Sequence, residues 1–202
     1  MHTTRHSIPA AALAAAALAL TGCAPDRQIT RLPPEQVIDL DYRFDDDDAR
    51  QVAQAMVTDA LYRAWVQNFV NQNGRPPVVT VGPIKNDTQD YIDPHLFSSQ
   101  FERELINSGR VRFVAMRDQR GDIRMEREQG QEWSRPETRK QMKYELGADY
   151  ILLGNVADNK ERSLDGKRVV SFYQVNLEMI DLESNEKVWY GTHEIKKLSR
   201  DR

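Results

Sequence analysis

Apolar and polar residues follow two different periods along the chain, and each period predicts one type of secondary structure. Near the amino-terminal end, apolar residues recur at spacings of three and four, as on one face of a helix that begins near Ala49. A second stripe of the same kind ends at Gly109, a residue that commonly follows the end of a helix. Two amphipathic helices are therefore predicted. Their stripes consist of Val52, Ala53, Met56, Ala60 and Ala64, and of Phe97, Phe101 and Leu105.

A period of two near the other end predicts a β-hairpin. Alternate residues from Tyr173 to Met179 are apolar, which is typical of a strand with one buried face. Residues 183–186 are polar and form the turn, and residues 188–191 return as the partner strand. Shorter apolar runs predict four more strands, at residues 37–42, 77–82 (ending in a turn at Gly82), 111–115 and 150–154.

The remaining segments connect these elements. Residues 86–90 are predicted as a polar loop, residues 118–133 as an exposed helix or a mobile connection, and residues 137–146 as a helix that Gly147 stops. Strands alternate with helices before the final hairpin. The order indicates the α/β class, with residues 37–202 forming a single-domain sandwich of a mixed β-sheet and flanking helices.

Residues 1–22 have the parts of an export signal. A short start containing Arg5 precedes an unbroken run of Ala and Leu from Ala10 to Leu20. Eleven residues rise about 16 Å as a helix, far less than the roughly 30 Å hydrocarbon core of a bilayer. The run is therefore too short for a permanent span, and a cleaved signal peptide is predicted. The following Leu-Thr-Gly-Cys sequence resembles a lipobox, so lipidation of Cys23, with palmitate among the acyl chains, is predicted.

Cys23 is the only cysteine in the sequence. The exported domain is therefore expected to rely on its core rather than on a disulfide. Ala24 follows the anchor, whereas an aspartate at this place typically retains enterobacterial lipoproteins in the inner membrane. An outer-membrane lipoprotein that faces the periplasm is predicted. Residues 23–36 would form the lipidated cysteine and a short tether, which reaches at most about 45 Å when fully extended.

Composition and residue spacing favour a binding function over catalysis. Lys and Arg number 28 against 31 Asp and Glu, which argues against nucleic acid as a partner. The aspartates at 45–48 lack the spacing and glycine of a calcium loop, and we interpret them as a helix cap. His95 and His193 are far apart, and no nucleophile motif or phosphate-binding loop occurs. No enzyme activity, cofactor or metal is predicted.

The segment 103–115 closely resembles a signature of the LpoB family, the lipoprotein activators of penicillin-binding proteins. Segments 77–82, 146–150, 173–178 and 187–189 occur in the family's order, followed by Lys196 and Lys197. The resemblance runs from about residue 40 to 198 and includes the lipobox. It implies a domain like the amino-terminal domain of TolB, and a monomer that binds the noncatalytic docking domain of a class A penicillin-binding protein. That contact would stimulate peptidoglycan synthesis, and with it support the cell wall and cell shape.

Two alternatives stay open from the sequence: an envelope assembly or secretion component with a TolB-like domain, and a periplasmic hydrolase acting on wall glycan. For the partner surface we expect loops and strand ends, because the apolar stripes are buried in the core. The candidate partner-binding residues are Asn86, Asp87, Thr88, Gln89, Asp90, Tyr91, Arg110 and Arg112.

Overall fold

Five strands form one mixed sheet in the order β2-β1-β3-β4-β5. The computed structural model describes residues 30–33, 36–38, 41–116, 119–138 and 145–200, and those from Val37 onward belong to one compact unit. The predicted signal peptide, Cys23 and most of the tether lie outside the described residues. The elements are α1 (Asp46–Leu61), α2 (Ala64–Asn73), β1 (Val78–Asp87), α3 (Pro94–Asn107), β2 (Arg112–Phe113), α4 (Gln119–Trp133), β3 (Tyr150–Arg162), β4 (Arg168–Asp181) and β5 (Lys187–Arg200).

The strand directions confirm the predicted α/β class with a mixed sheet. β1 runs parallel to both β2 and β3, while β3, β4 and β5 form an antiparallel meander of long strands. Helices α1 and α3 cover one face, which we call the inner face, and the two predicted apolar stripes meet the sheet there. The core therefore lies between these helices and alternate residues of the strands, including Phe101, Leu105, Leu152, Tyr173, Val175, Leu177 and Met179.

The acidic segment caps α1, as predicted, although the helix begins at Asp46 rather than near Ala49, so that Asp45 is the cap and the other three aspartates form the first turn. The Asp45 carboxylate accepts from the Asp48 backbone N–H at 3.0 Å, and the Asp48 carboxylate accepts from the Asp45 N–H at 3.0 Å. This reciprocal arrangement is a capping box, and the acidic first turn also complements the helix dipole. Lys197 of β5 pairs with Asp45 at 2.7 Å and with Asp48 at 2.6 Å. The cap thereby also fixes the start of α1 to the edge strand of the sheet.

The prediction that one helical stripe runs through Ala64 is wrong. α1 ends at Leu61, Arg63 is extended, and Ala64 is an exposed residue that begins α2. The Trp65 indole N–H donates to the Ala60 carbonyl at 2.8 Å, closing the turn between the helices. The Trp65 ring packs on Tyr150 with centroids 4.8 Å apart. The break therefore lets α2 bury an aromatic face that a straight continuation of α1 would direct elsewhere.

Several predicted strands need correction, either in their extent or because they do not form. No strand forms at the described residues of 37–42; instead the Ile38 N–H donates to the Asp47 carboxylate. The strand predicted at 111–115 is reduced to Arg112–Phe113. Gly82 is not a turn, because β1 continues to Asp87 through a register shift. A Cβ at Gly82 would lie 2.4 Å from Cδ2 of Leu153, so that a larger residue here would require the Leu153 side chain to move.

The two charged segments differ in how far they are helical. The sequence predicts an exposed helix or a mobile connection at residues 118–133; the described part is the helix α4, and it has no buried residue. In the predicted helix 137–146, residues 137 and 138 lie in a turn, 139–144 are outside the described residues, and 145 and 146 are not helical. Within the described ranges, every helix is too short or too polar to span a membrane.

Candidate functional site

The outer face of the sheet, opposite α1 and α3, carries a continuous group of uncharged polar side chains. Asn155, Asn176 and Thr192 are direct cross-strand partners on β3, β4 and β5. Their side chains therefore lie side by side on one face. Together with Gln174 and Tyr190 they form what we call the amide–tyrosine cluster. Within the described residues, α4 approaches this face only near the start of β3, where Arg120 and Arg124 border a recess beside Ile151.

Hydrogen bonds converge on one atom at the centre of this cluster. The Oδ1 of Asn176 accepts from Gln174 at 2.9 Å, from the Tyr190 hydroxyl at 3.1 Å and from the Thr192 hydroxyl at 3.1 Å. The Asn155 amide extends the network by donating to the Asp87 carboxylate at 2.7 Å. A carbonyl oxygen has two lone pairs, so three donors compete for two acceptor positions.

A groove of about 420 Å³ borders the cluster. Pro83 and Leu153 supply apolar lining, and Asn155, Asn176 and Tyr190 supply polar groups. Charged residues lie at its rim: Lys85 and Asp87 on β1, and Glu178, which pairs with Lys187 at 2.5 Å. The volume falls within the roughly 300–1,000 Å³ typical of small-molecule sites.

A second feature is the loop 88–93, which joins β1 to α3 and is held by hydrogen bonds from its own side chains. The Asn86 amide donates to the Asp90 carbonyl at 2.8 Å, and the Thr88 hydroxyl donates to the Asn86 Oδ1 at 2.7 Å. The Asp90 N–H donates to the Thr88 hydroxyl at 3.1 Å. We call residues 86–93, which comprise the last two residues of β1 and the loop itself, the anchored loop, because these polar side chains fix its backbone.

Asp90 attaches the anchored loop to the sheet. Its carboxylate pairs with Lys160 at 2.5 Å and accepts a hydrogen bond from the Tyr173 hydroxyl, and Lys160 also pairs with Asp158 at 3.1 Å. Burial alone would raise the pKa of Asp90, but the hydrogen bonds from Lys160 and Tyr173 outweigh it, and the pKa is lowered. Burial and the neighbouring Asp90 raise the pKa of Tyr173. The carboxylate is thus held ionised at neutral pH.

This arrangement holds Tyr91 in an exposed position. Its side chain is 88% exposed, although both neighbours in the chain are partly or fully buried. A tyrosine combines a large apolar ring with a polar tip, and an exposed one on a fixed backbone is a strong candidate for an interaction residue.

An apolar groove of about 560 Å³ lies between the second half of β1 and the first turn of α3, the two elements that the anchored loop connects. β2 pairs with β1 only at Val78 and Val79, so the rest of that strand edge is not covered by β2. The groove is lined by Val81, Gly82, Pro83, Ile84, Pro94, His95, Ser98 and Met116.

The structure separates the predicted partner residues into two groups. Residues 86–91 lie at the carboxyl end of β1, whereas Arg112 pairs with Val78 at its amino end, about 30 Å away along the strand. Arg110 lies over the ring of Tyr62, 4.8 Å from its centroid. The two groups therefore cannot form one small contact surface. The side chains of Asn86, Thr88 and Asp90 form hydrogen bonds or ion pairs that hold the loop in place. Asp87 accepts a hydrogen bond from Asn155 of the amide–tyrosine cluster. Gln89 and Tyr91 are exposed.

Sequence reasoning missed the amide–tyrosine cluster. The signal was present in β4, where Gln174 and Asn176 occupy polar positions of the period-two pattern in place of charged residues. Asn155 and Tyr190 gave no such signal, because their proximity depends on the strand register.

Among the described residues, three carboxylates come close enough to share a metal ion: Asp45, Asp46 and Asp47. Cations of the protein already neutralise two of them, since Lys197 pairs with Asp45 and Arg50 with Asp47. This supports the interpretation of the acidic segment as a helix cap.

The candidate sites within the described ranges are therefore two surfaces of a mixed α/β sheet: an exposed aromatic loop beside an apolar groove, and a polar sheet face. The chain belongs to the LpoB family, since the model of that family, described as "Peptidoglycan-synthase activator LpoB", matches residues 48–195.

Solved structures include matches to the same family. The LpoB C-terminal domain from Salmonella enterica is 14% identical with a TM-score of 0.43, covering 74% of this chain and 99% of that one. The domain from Escherichia coli is 15% identical with the same TM-score of 0.43 and the same coverage of 74% and 99%. Lipoprotein GNA1162 from Neisseria meningitidis is 15% identical with a TM-score of 0.40, covering 61% and 85%. A comparison with curated proteins finds no match.

Proposed function

We propose that this protein is a noncatalytic lipoprotein that binds the docking domain of a class A penicillin-binding protein and thereby stimulates peptidoglycan synthesis. Membership of a family of peptidoglycan-synthase activators supports this assignment. The observation that carries the choice of surface is Tyr91, an 88% exposed aromatic on a loop whose other polar side chains hold its backbone in place.

The fixed loop lowers the entropic cost of binding. A flexible loop must be ordered when the partner arrives, whereas the anchored loop is already attached to β3 and β4 through Asp90. Tyr91 would insert into the synthase, and an apolar side chain of the synthase would enter the groove lined by Val81, Ile84 and Met116. Such reciprocal anchors dominate the binding energy of most interfaces.

The location of the protein follows from the sequence and is part of the proposal. Cys23 would carry the lipid, including palmitate, in the outer membrane, with the domain a monomer in the periplasm. The tether of residues 24–36 then limits reach to about 45 Å. Cys23→Ser should release the protein from the membrane fraction on cell fractionation. Continued sedimentation with the outer membrane would contradict the lipid anchor.

The test of the synthase interface is Tyr91→Ala in the full chain. We expect binding to the purified synthase to weaken by about tenfold or more, with loss of the stimulated polymerisation rate. The unfolding midpoint should not change, because the side chain is exposed.

Arg110→Glu is the matched control at the opposite end of β1, and we expect it to leave synthase binding intact. Normal binding by Tyr91→Ala together with loss in Arg110→Glu would move the interface to the amino end of the strand. No binding by the folded wild-type chain would refute the proposed function. A large closed oligomer by light scattering would then favour an envelope assembly component.

A further inference from the structure

On the outer face of the sheet, uncharged polar groups are gathered at the centre and charged groups lie around them. Its centre consists of uncharged groups: the amides of Asn155, Gln174 and Asn176 and the hydroxyls of Tyr190 and Thr192. The charged residues lie at the rim, where Glu178 is already paired with Lys187. An exposed sheet face does not need this separation of uncharged from charged groups in order to be soluble, because interspersed charges of both signs are sufficient.

From this face we infer a binding site for an uncharged glycan that carries acetamido groups. The inference goes beyond the proposed synthase contact; Pro83 lines both grooves, but the polar residues that carry this inference do not line the apolar one. The site is the groove of about 420 Å³ beside the amide–tyrosine cluster.

The hydrogen bonds at the centre of the cluster leave a donor available to a ligand. Asn176 Oδ1 is offered three donors, at 2.9, 3.1 and 3.1 Å, but it can accept two at full strength. One hydroxyl, of Tyr190 or Thr192, is therefore able to turn to a ligand acceptor without leaving the amide oxygen unsatisfied. A sugar hydroxyl or an acetamido carbonyl is an acceptor of this kind.

The shape and polarity of the groove suit a sugar ring. Tyr190 is 60% exposed and borders the groove. Its electron-rich face suits the weakly positive C–H groups of a pyranose ring. Beside it, the side-chain amides present both donors and acceptors, which complement the N–H and C=O of an acetamido group.

The charges at the rim of the groove balance one another. Lys85 and Asp87 lie on the same strand, and Glu178 is paired with Lys187, so the rim carries no excess charge of either sign. A neutral ligand suits such a rim.

The test titrates the full chain with chitotetraose, a neutral oligomer of N-acetylated hexose, and follows side-chain amide resonances by NMR. We expect a millimolar dissociation constant and shifts confined to Asn155, Gln174 and Asn176. Cellotetraose, which has the same rings without acetamido groups, should bind at least about fivefold more weakly. Absence of shifts, shifts elsewhere, or equal affinity for the two oligomers would overturn the proposal.

Variants separate this site from the synthase surface. Tyr190→Ala should weaken chitotetraose binding about tenfold, and Tyr190→Phe, which keeps the ring, should weaken it less. Tyr91→Ala should bind the glycan normally, and Tyr190→Ala should bind the synthase normally. If the wild-type chain binds the glycan but does not bind the synthase, only the proposed function is refuted. Unchanged glycan binding in a folded Tyr190→Ala chain would overturn the glycan site.

Discussion

The two faces of β4 differ in what their side chains contact. Its inner positions, such as Val175 and Leu177, are at most 1% exposed and pack against α1, α3 and the neighbouring strands. Its outer positions, such as Gln174 and Asn176, are half-buried and bond to side chains of β3 and β5. The strand alternates with a period of two, so these residues are neighbours in sequence but lie on opposite faces.

The two faces of β4 therefore contribute unequally to stability. Burial of the inner residues provides the hydrophobic stabilisation, roughly 25 cal/mol per Å² of apolar surface. Polar contacts on the outer face replace hydrogen bonds to water and contribute little net stability each. The outer residues are therefore free to vary without loss of the fold, whereas the inner ones are not.

The largest expected effect is the contrast between two adjacent positions. Leu177→Ala should lower the free energy of unfolding by about 2–5 kcal/mol, since it leaves a cavity in the core. Asn176→Ala should lower it by about 1 kcal/mol or less, because its partners can bond to water. Urea denaturation of both variants measures the difference. Equal destabilisation would show that the outer network, too, is needed for folding.

The buried ion pair of the anchored loop gives the next effect. Replacing Lys160, whose side chain is 17% exposed, by Met leaves the Asp90 carboxylate buried without its cation and should cost more than about 2 kcal/mol. Lys187→Met, at an outer-face lysine that is 59% exposed, should cost less than about 1 kcal/mol. Similar losses in the two variants would contradict the separation of roles between the faces.

Acid should produce a smaller change with a defined direction. The pKa of Asp90 is lowered in the folded protein, so its contribution to stability is complete above its unfolded value of about 4. It is lost as the pH falls through the lower folded pKa. Asp90→Asn should flatten the decline of stability below about pH 4, as measured by urea denaturation at a series of pH values. Parallel acid curves for Asp90→Asn and the wild type would exclude this role for the loop carboxylate.

Much of the fold was accessible from local patterns. The stripes of α1 and α3 and the alternation of β4 identify their buried faces, because each repeat reflects a regular geometry. The capping aspartates likewise act within one turn, so Asp45 and Asp48 could be interpreted without tertiary structure. Predictions failed where a distant residue decides the outcome. Gly82 resembles a turn glycine, but the Leu153 side chain, 71 positions later in the numbering, crosses it.

Local sequence patterns were enough to predict the class of the domain, its principal helices and hairpin, the resemblance to its family and a lipid anchor at Cys23. These features depend on short-range periodicity or on contiguous motifs. The fold was needed to show that Arg110 and Arg112 are remote from residues 86–91, and that Asn155, Asn176 and Tyr190 adjoin one groove. The physical reason is register: a pairing between strands fixes which distant side chains become neighbours, and a shift of one residue would send them to the other face.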